Sequence, residues 1–331
     1  MCRFNKILIF TLCLLFSSAC SDILIEKTDN ISNIGDFQAA WEIIDSVYPY
    51  LEFKKIDWDS IYTVYLPRAE AANGDEIFEV LLDMIFELKD AHMGIKAKGG
   101  VIPIYYQSPR RLRDQDLYSP YAVRKYVDDE LMTTTNKSMN FGTIQNKIGY
   151  IRIAEFKKST YEIDDVINYL LNTTGIIIDV RNNLGGYSPY ADFVISRFIN
   201  QTIRTPYAYR KGEEPSYSII QPQGVYYNKP VVLLANGVSF SSAEYFTEIM
   251  KHISTVTFIG DTTCGGRGNP DWYNLPSGTK IRVSTTCYLN YDDEPVEWNG
   301  ISPDYRVINS IEELENGKDN QLEYAINYIA E

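Results

Sequence analysis

The sequence predicts an α/β fold preceded by an N-terminal helical subdomain, and two patterns lead to this prediction. Between Asp36 and Lys89, apolar residues recur at intervals of three and four, as they do along one face of an amphipathic helix. From Lys147 onwards, short apolar runs typical of buried strands alternate with helical patterns; the runs are IGYIRI, GIIIDV, KPVVLLAN and VTFIG. Such alternation predicts a mainly parallel sheet covered by helices.

The N-terminal residues have the pattern of a signal peptide. Arg3 and Lys6 precede the apolar run Ile7–Phe16, which is too short to span a bilayer as a stable helix. Small residues then lead to Cys20, which resembles a bacterial lipoprotein processing site, although serine replaces the usual leucine three positions earlier. We therefore predict a signal peptide at residues 1–19, a lipidated Cys20 and a location in the cell envelope, periplasmic or at the outer-membrane surface. An ordinary signal peptide with an incidental cysteine is the alternative.

The remaining patterns divide the chain further. Residues 20–35 are predicted to be a lipid-anchored tether, and residues 36–98 form the predicted helical subdomain. Residues 99–145 are polar and rich in turns, and we interpret them as a short insertion of unknown fold. Residues 146–331 form the predicted core with a C-terminal helix.

The charge of the chain restricts its partners. The formal net charge of the full sequence is −13, and removal of the two cations in the signal peptide would make it about −15. Such an acidic protein is repelled by nucleic acids and by anionic membrane surfaces. We expect no nucleic-acid partner, and we expect contact with the membrane through the N-terminal lipid only.

The sequence predicts neither a metal site nor a cofactor. His92 and His252 are the only histidines, and no CxxC pair is present. The GxGxxG and Walker lysine patterns of nucleotide-binding loops are also absent from the sequence. Cys264 and Cys287 are the candidates for a disulfide in the mature chain, and the sequence leaves open whether they pair.

Two loops join a predicted buried strand to a helix and are candidates for chemistry. In VVLLANGVSFSSAEYF, Ser241 would stand at a helix N-terminus among unpaired backbone amides, where a hydrolase nucleophile is often found. The alternative is that Ser239, Ser241 and Ser242 only cap the helix. In DVRNNLGGYSPYADF, the amides of Gly185 and Gly186 would bind an oxyanion, the alternatives being a tight turn or a phosphate-binding loop.

Six segments follow one another in an order that resembles a known family. They are LKDAHMGI, IGYIRI, IIIDVRNNLGG, ANGVSFSSAEYF, FIGDTTCGGRG and VEWNGISPD. The chain resembles the C-terminal-processing and tricorn-type serine peptidases over most of its mature length. The resemblance implies a crotonase-like core in residues 146–331, whereas residues 99–145 are too short for the PDZ module that many members carry there.

The resemblance also implies which residues act in catalysis. In this family the nucleophilic serine lies three residues before a glutamate, so Glu244 identifies Ser241 as the nucleophile. One branch activates the serine with a lysine twenty-five residues further on, but that position is Gly266 here. Arg267 beside it cannot replace the lysine, because a guanidinium does not lose its proton near neutral pH.

The tricorn-like branch instead takes a histidine from an Asp-x-His sequence and a glutamate before a Gly-x-x-Pro-Asp turn. His92 in Asp90-Ala91-His92 and Glu297 before Gly300–Asp304 match these positions. Because alanine replaces the tricorn serine that orients the base, Glu297 is the expected partner of His92, directly or through a water.

The implied activity is serine-type peptidase catalysis through an acyl-enzyme, acting on short or unfolded peptides near their C-termini. The amides of Gly185, Gly186 and Ser242 would stabilise the oxyanion. A terminal carboxylate would be bound by the basic stretch of Arg110, Arg111 and Arg113. The alternatives are a catalytically inactive surface lipoprotein of the same fold that binds peptides or glycans, and an esterase that uses the same site.

Overall fold

The computed structural model describes residues 19–135 and 137–331, so the predicted signal peptide lies, except for Ala19, outside the described residues. The α-helices are α1 (Ala19–Val47), α2 (Trp58–Ala71), α3 (Glu76–Phe86), α4 (Pro109–Asp114), α5 (Pro120–Val123), α6 (Ile163–Leu170), α7 (Ser188–Ile195), α8 (Ser242–Lys251), α9 (Ile311–Glu315) and α10 (Asn320–Ala330). A short 3-10 helix, Lys158–Glu162, precedes α6.

The strands are β1 (Gly94–Lys96), β2 (Ile104–Tyr105), β3 (Met132–Thr133), β4 (Met139–Ile144), β5 (Ile148–Ile153), β6 (Gly175–Asp179), β7 (Ile203–Arg204), β8 (Ala208–Arg210), β9 (Ile219–Ile220), β10 (Val231–Ala235), β11 (Val256–Gly260), β12 (Pro270–Asn274), β13 (Lys280–Ser284), β14 (Thr286–Tyr288) and β15 (Tyr305–Arg306). They form a seven-stranded sheet, a four-stranded sheet and two two-stranded sheets.

The seven-stranded sheet has the order β15-β11-β10-β6-β5-β4-β3. Strands β5, β6, β10, β11 and β15 run parallel, and β4 and β3 add an antiparallel edge. Successive residues of β6 point to opposite faces: Ile176 and Ile178 pack with α6, α7 and α8, while Ile177 packs with α10. The predicted α/β fold is therefore confirmed, in the form of a mixed sheet with helices on both faces.

The four-stranded antiparallel sheet, β12-β13-β1-β2, packs against α1, α2 and α3 around a separate apolar core. The helices were expected from the sequence, but the sheet under them was not. Its strands β12 and β13 come from the segment 146–331, so contacts cross the boundary drawn from the sequence. The division into domains stays a prediction.

Residues 99–145, which the sequence left without a fold, belong to both sheets. Strand β2 lies at the edge of the four-stranded sheet, whereas β4 pairs with β5 through Met139 and Ile153. The predicted tether, residues 20–35, is helical as part of α1. The single C-terminal helix expected from the sequence is divided into α9 and α10, and Gly317 between them has a φ of +81°.

Cys264 and Cys287 are both free and buried, so the disulfide that the sequence left open is not formed. None of the helices that the structure describes is long and apolar enough to cross a membrane.

Candidate active site

Ser241 occupies a strained turn between β10 and α8. Its φ and ψ are 58° and −119°, a conformation that non-glycine residues rarely adopt. The Ser241 N–H lies 3.1 Å from the Gly266 carbonyl oxygen and 3.2 Å from Glu244 Oε2, and these two acceptors hold the turn. A side chain on Gly185 would lie 2.8 Å from Ser241 Cβ, so glycine is required where the neighbouring loop meets this turn.

The serines near the helix N-terminus have different contacts. Ser239 Oγ donates to the Val180 carbonyl at 2.8 Å, and Ser242 Oγ donates to the Gly186 carbonyl at 2.8 Å. Ser241 Oγ is directed elsewhere, to the only histidine of the cavity that it lines. Ser241 is thus distinguished from its neighbours by a contact that helix capping does not explain.

His92 reaches Ser241 from the side of the apolar core that α1, α2 and α3 form with the four-stranded sheet. It lies between α3 and β1, and its Nε2 is 3.2 Å from Ser241 Oγ. The imidazole is only 2% exposed and lies against the Phe240 ring at a centroid distance of 4.3 Å. Asp90 Oδ1 accepts the His92 backbone N–H at 2.7 Å, which fixes the corner that carries the ring.

The environment of His92 keeps it neutral. Burial lowers its pKa to about 4; the nearby Asp90 carboxylate raises the pKa, whereas Arg282 and Arg267 lower it further. At neutral pH the imidazole is therefore uncharged and can accept a proton at Nε2. This is the state that a general base for Ser241 requires.

Glu297 does not contact His92 directly. It is fully buried, and its Oε1 accepts from Lys54 Nζ at 2.8 Å. Burial and the Asp90 carboxylate raise the pKa of Glu297 well above its ordinary value, while Lys54 opposes this shift. In the described part of the chain, His92 Nδ1, Asp90 Oδ2 and Glu297 Oε2 are buried without a hydrogen-bond partner. The direct contact is absent, and a contact through water stays a prediction.

Lys54 is a residue that sequence reasoning missed. Its ammonium group donates to Glu297, to Tyr48 Oη at 3.0 Å and to the Leu88 carbonyl at 2.8 Å. All three of its N–H donors are therefore used inside the protein. A lysine in the segment Phe53-Lys54-Lys55 carries no motif, so nothing in the sequence connects it to Glu297.

Backbone amides of two loops converge on Ser241. Among the described residues, no acceptor is found for the Gly186 or the Ser242 N–H. The Gly185 N–H, in contrast, donates to Asn183 Oδ1 at 2.7 Å, so its expected role in an oxyanion site is not supported. Gly186 has a φ of +137°, and a Cβ on it would collide with the Phe156 carbonyl.

Gly266, which stands at the position of the family's dyad lysine, has no space for a side chain. A Cβ added to Gly266 would collide with the Phe240 ring, which supports His92 from its other side. Gly266 also donates its N–H to Glu244 Oε2 at 2.8 Å. A side chain at this position would displace the residue on which the histidine rests.

The basic stretch in α4 is not part of this site. Arg110 Nη1 donates to the Trp298 carbonyl at 2.6 Å, and Arg113 forms ion pairs with Asp114 and Asp261. Neither these two residues nor Arg111 lines the cavity of about 410 Å³ that contains Ser241 and His92. Arg110 and Arg113 donate to groups of the protein, and binding of a terminal carboxylate by Arg110, Arg111 and Arg113 stays a prediction.

Comparisons with known proteins identify the family of this chain. The family model described as Peptidase family S41 matches residues 147–307, and the Tricorn protease C1 domain model matches residues 34–86. The chain belongs to the C-terminal-processing and tricorn-type family of serine peptidases. The carboxy-terminal processing protease CtpA of Bacillus subtilis is 28% identical over 166 residues, which are 49% of this chain and 35% of CtpA.

A second curated relative and a solved structure are also similar to this chain. Tricorn protease homolog 1 of Streptomyces coelicolor is 26% identical over 184 residues, 54% of this chain and 16% of that protein. The chain thus spans about a third or less of these two relatives. A crystal structure of a candidate peptidase from Parabacteroides merdae has a TM-score of 0.80 and 27% identity, and covers 90% of this chain and 96% of that one.

Proposed function

We propose that the chain is a serine-type peptidase in which Ser241 is the nucleophile and His92 is the general base. The observation that carries this proposal is the 3.2 Å separation between His92 Nε2 and Ser241 Oγ, at a strained turn that begins a helix. Nucleophile and base within hydrogen-bond reach are the geometric signature of an activated serine. The family membership supports the proposal.

In the proposed reaction, His92 Nε2 takes the Ser241 hydroxyl proton as Oγ bonds to the carbonyl carbon of a peptide. The amides of Gly186 and Ser242 donate to the oxyanion. His92 then gives the proton to the leaving amine as the peptide C–N bond breaks, and water hydrolyses the acyl-enzyme by the same steps. A positioned base contributes about 10²- to 10⁴-fold and one oxyanion donor about 10²- to 10³-fold to the rate.

Glu297 and Asp90 are proposed to orient the histidine. Both have an unpartnered buried oxygen, as His92 has an unpartnered Nδ1, so a water between these atoms would satisfy the N–H of the reactive tautomer. Lys54 would hold Glu297 in place for this contact. These three residues act through His92 and are positioning residues.

The parallel strands β5, β6, β10 and β11, with helices on both faces, support a crotonase-like assignment for the core. This assignment is a proposal about fold ancestry, and it does not affect the chemistry. The nucleophile follows β10 and the oxyanion loop follows β6, and these two strands are neighbours in the sheet. Their carboxyl ends therefore bring the two loops together.

Export and lipid anchoring at Cys20 also remain proposals. The support is the charged, apolar and small-residue pattern of the first twenty residues. Growth with radiolabelled palmitate should label the wild-type chain and leave Cys20→Ala unlabelled. Equal labelling of both would show that this cysteine is not the anchor.

A fluorophosphonate probe tests the proposed function directly. The full chain, kept in detergent, should be labelled at Ser241, as located by mass spectrometry, because only an activated serine reacts. Ser241→Ala should abolish labelling, and His92→Gln should slow it by about 10²-fold or more. His252→Ala is the matched control, since this second histidine ends α8 far from the cavity and should label like the wild type.

The inactive binding lipoprotein predicts a different outcome. A folded wild-type chain that gives no label at Ser241 would overturn the peptidase proposal in its favour. If the serine is labelled, turnover of matched ester and amide substrates separates a peptidase from an esterase. Peptides with free and with blocked C-termini then separate carboxy-terminal processing from internal cleavage.

A further inference from the structure

Two arginines line the cavity that contains Ser241 and His92. Arg267 lies in the loop between β11 and β12, and Arg282 lies in β13. No sequence motif assigns a role to either residue, and Arg267 is excluded as a base. In a chain with a net charge of −13, two cations beside the nucleophile are a local exception.

The Arg267 guanidinium is built into the cavity wall. Arg267 is only 4% exposed, and its guanidinium carbon lies 4.9 Å from the centre of the Tyr245 ring and 4.0 Å from that of Tyr288. Within the described residues it has no hydrogen-bond acceptor and no ion-pair partner. Contacts with ring faces do not use the five N–H donors of a guanidinium, so these remain available to a ligand.

Arg282 is half-buried and also lacks a counterion in the described part of the chain. It lies opposite Gly94 of β1 and Trp272 of β12, with its guanidinium carbon 5.4 Å from the centre of the Tyr105 ring. Burial lowers the pKa of Arg282, while Tyr105 and Asp90 raise it. An arginine remains charged at neutral pH despite such a shift.

The acids near Arg267 are occupied by other donors. Glu244 accepts from the Thr263 hydroxyl at 2.7 Å and from the amides of the loop that follows it. Asp192 accepts the Tyr245 hydroxyl. Arg267 influences the pKa of both carboxylates, but neither is within ion-pair distance of it. Its charge is therefore not neutralised by a direct partner.

Asp90 is the acid that acts on Arg282, but no ion pair joins the two among the described residues, and Asp90 Oδ1 accepts the backbone N–H of His92. Both arginines lower the pKa of His92, which shows that they lie within electrostatic reach of the proposed base. The cavity thus presents guanidinium donors and positive charge next to the reacting hydroxyl. A ligand that pairs with these donors and balances this charge must carry a planar anionic group that accepts several hydrogen bonds.

We infer that Arg267 and Arg282 form a carboxylate-binding subsite that selects peptides with an acidic group next to the bond that is cut. A carboxylate matches guanidinium donors in geometry and charge. It has two sources in a peptide, an Asp or Glu side chain and the free C-terminus. The inference rests on the proposed function and adds the substrate class to it.

A peptide library tests the subsite. The full chain in detergent is incubated with peptides blocked at both ends and with the same peptides bearing a free C-terminus, and cut positions are read by mass spectrometry. Cutting beside Asp or Glu in the blocked set identifies the side chain as the source. Cutting near the end of the free set alone identifies the terminal carboxylate.

Substitution of the arginines decides whether the subsite causes the preference. Arg267→Gln and Arg282→Gln should each reduce kcat/KM for the preferred peptides by about tenfold to a hundredfold relative to neutral ones, as expected for a charged hydrogen bond. Arg282→Glu should shift the preference towards Lys or Arg. Because Arg282 is only half-buried, its variants keep the test valid if Arg267→Gln does not fold.

Arg204→Gln is the matched control, because Arg204 is also held by two tyrosines, with ring centres 5.0 and 5.8 Å away, but does not line this cavity. It should keep the wild-type preference.

Fluorophosphonate labelling of the same samples distinguishes the two possible failures. A labelled protein without preference for acidic groups, or with a preference that survives both glutamine substitutions, overturns the subsite alone. An unlabelled protein that cuts no peptide overturns the proposed function and the subsite with it.

Discussion

The chemistry of the site depends on how individual residues are surrounded. His92 is neutral because it is buried beside two cations, and Ser241 points towards it because its backbone has a positive φ. Neither property belongs to the residue type: an ordinary histidine titrates near pH 6.5, and an ordinary serine at this place caps the helix. The neighbours therefore decide the roles.

The pKa of His92 predicts the pH dependence of probe labelling. Because the base works when neutral and its pKa is lowered to about 4, the labelling rate should stay constant from pH 8 down to about 5 and fall below that. The measurement is the rate of fluorophosphonate labelling against pH. A midpoint near 6.5 would contradict the description of His92 as a buried, desolvated base.

At the scale of elements, the site is formed where loops leave parallel strands and where a loop from the second core approaches them. The loop 261–269 connects these elements. The backbone N–H groups of Gly265 and Gly266 donate to Glu244 of α8, and the Gly266 carbonyl oxygen accepts the Ser241 N–H. Phe240 fills the space above Gly266 and supports His92. The helix, the loop and the histidine are thus coupled through one ring.

Gly266→Ala tests this coupling. The added methyl group collides with Phe240, so the ring must move and His92 with it. We expect labelling of Ser241 to slow by about tenfold or more, with a loss of about 1–3 kcal/mol in the free energy of unfolding. Labelling kinetics and urea denaturation measure the two effects.

Gly212→Ala is the control, because the Cβ position of Gly212 has open space around it, while its φ of +81° strains an alanine. It should lose stability without slowing the label. Equal labelling rates for the two variants would contradict the coupling.

Different elements were predictable to different degrees. Strands β5, β6 and β10 were found because buried parallel strands are continuous apolar runs. The pairing of β13 with β1 was not, since it joins Arg282 to Gly94 across the chain and no local pattern encodes such a contact. Ser241 and His92 were identified through resemblance, whereas Lys54 has no motif and becomes visible only when the fold brings it to Glu297.

In the part of the chain that the structure describes, the site lies where the two largest apolar cores meet. Helix α10 packs on the opposite face of the seven-stranded sheet from the largest core, and a fully buried ion-pair network holds it there. Arg181 donates to Asp319 at 2.8 Å and to Gln321 at 3.0 Å on the helix side, and pairs with Asp179 of β6. Strand β6 leads into the oxyanion loop, so this network links the C-terminal helix to the site.

Arg181→Met should destabilise the whole fold. It leaves two carboxylates buried without their cation, which typically costs about 3–5 kcal/mol. Urea denaturation monitored by circular dichroism gives the free energy of unfolding. Arg306→Met is the control, because this 60% exposed arginine pairs with Asp261 at the surface and should change stability by about 1 kcal/mol or less. Similar losses for both variants would contradict the importance of the buried network.

The two buried thiols have a practical consequence. Burial raises the pKa of Cys264 to about 12 and that of Cys287 to about 11, so almost no thiolate is present at neutral pH. Alkylating reagents and changes in redox potential should therefore leave these two thiols unchanged, although Cys264 packs against Phe240. At these two positions the chain therefore reaches the same covalent state under reducing and under oxidising conditions.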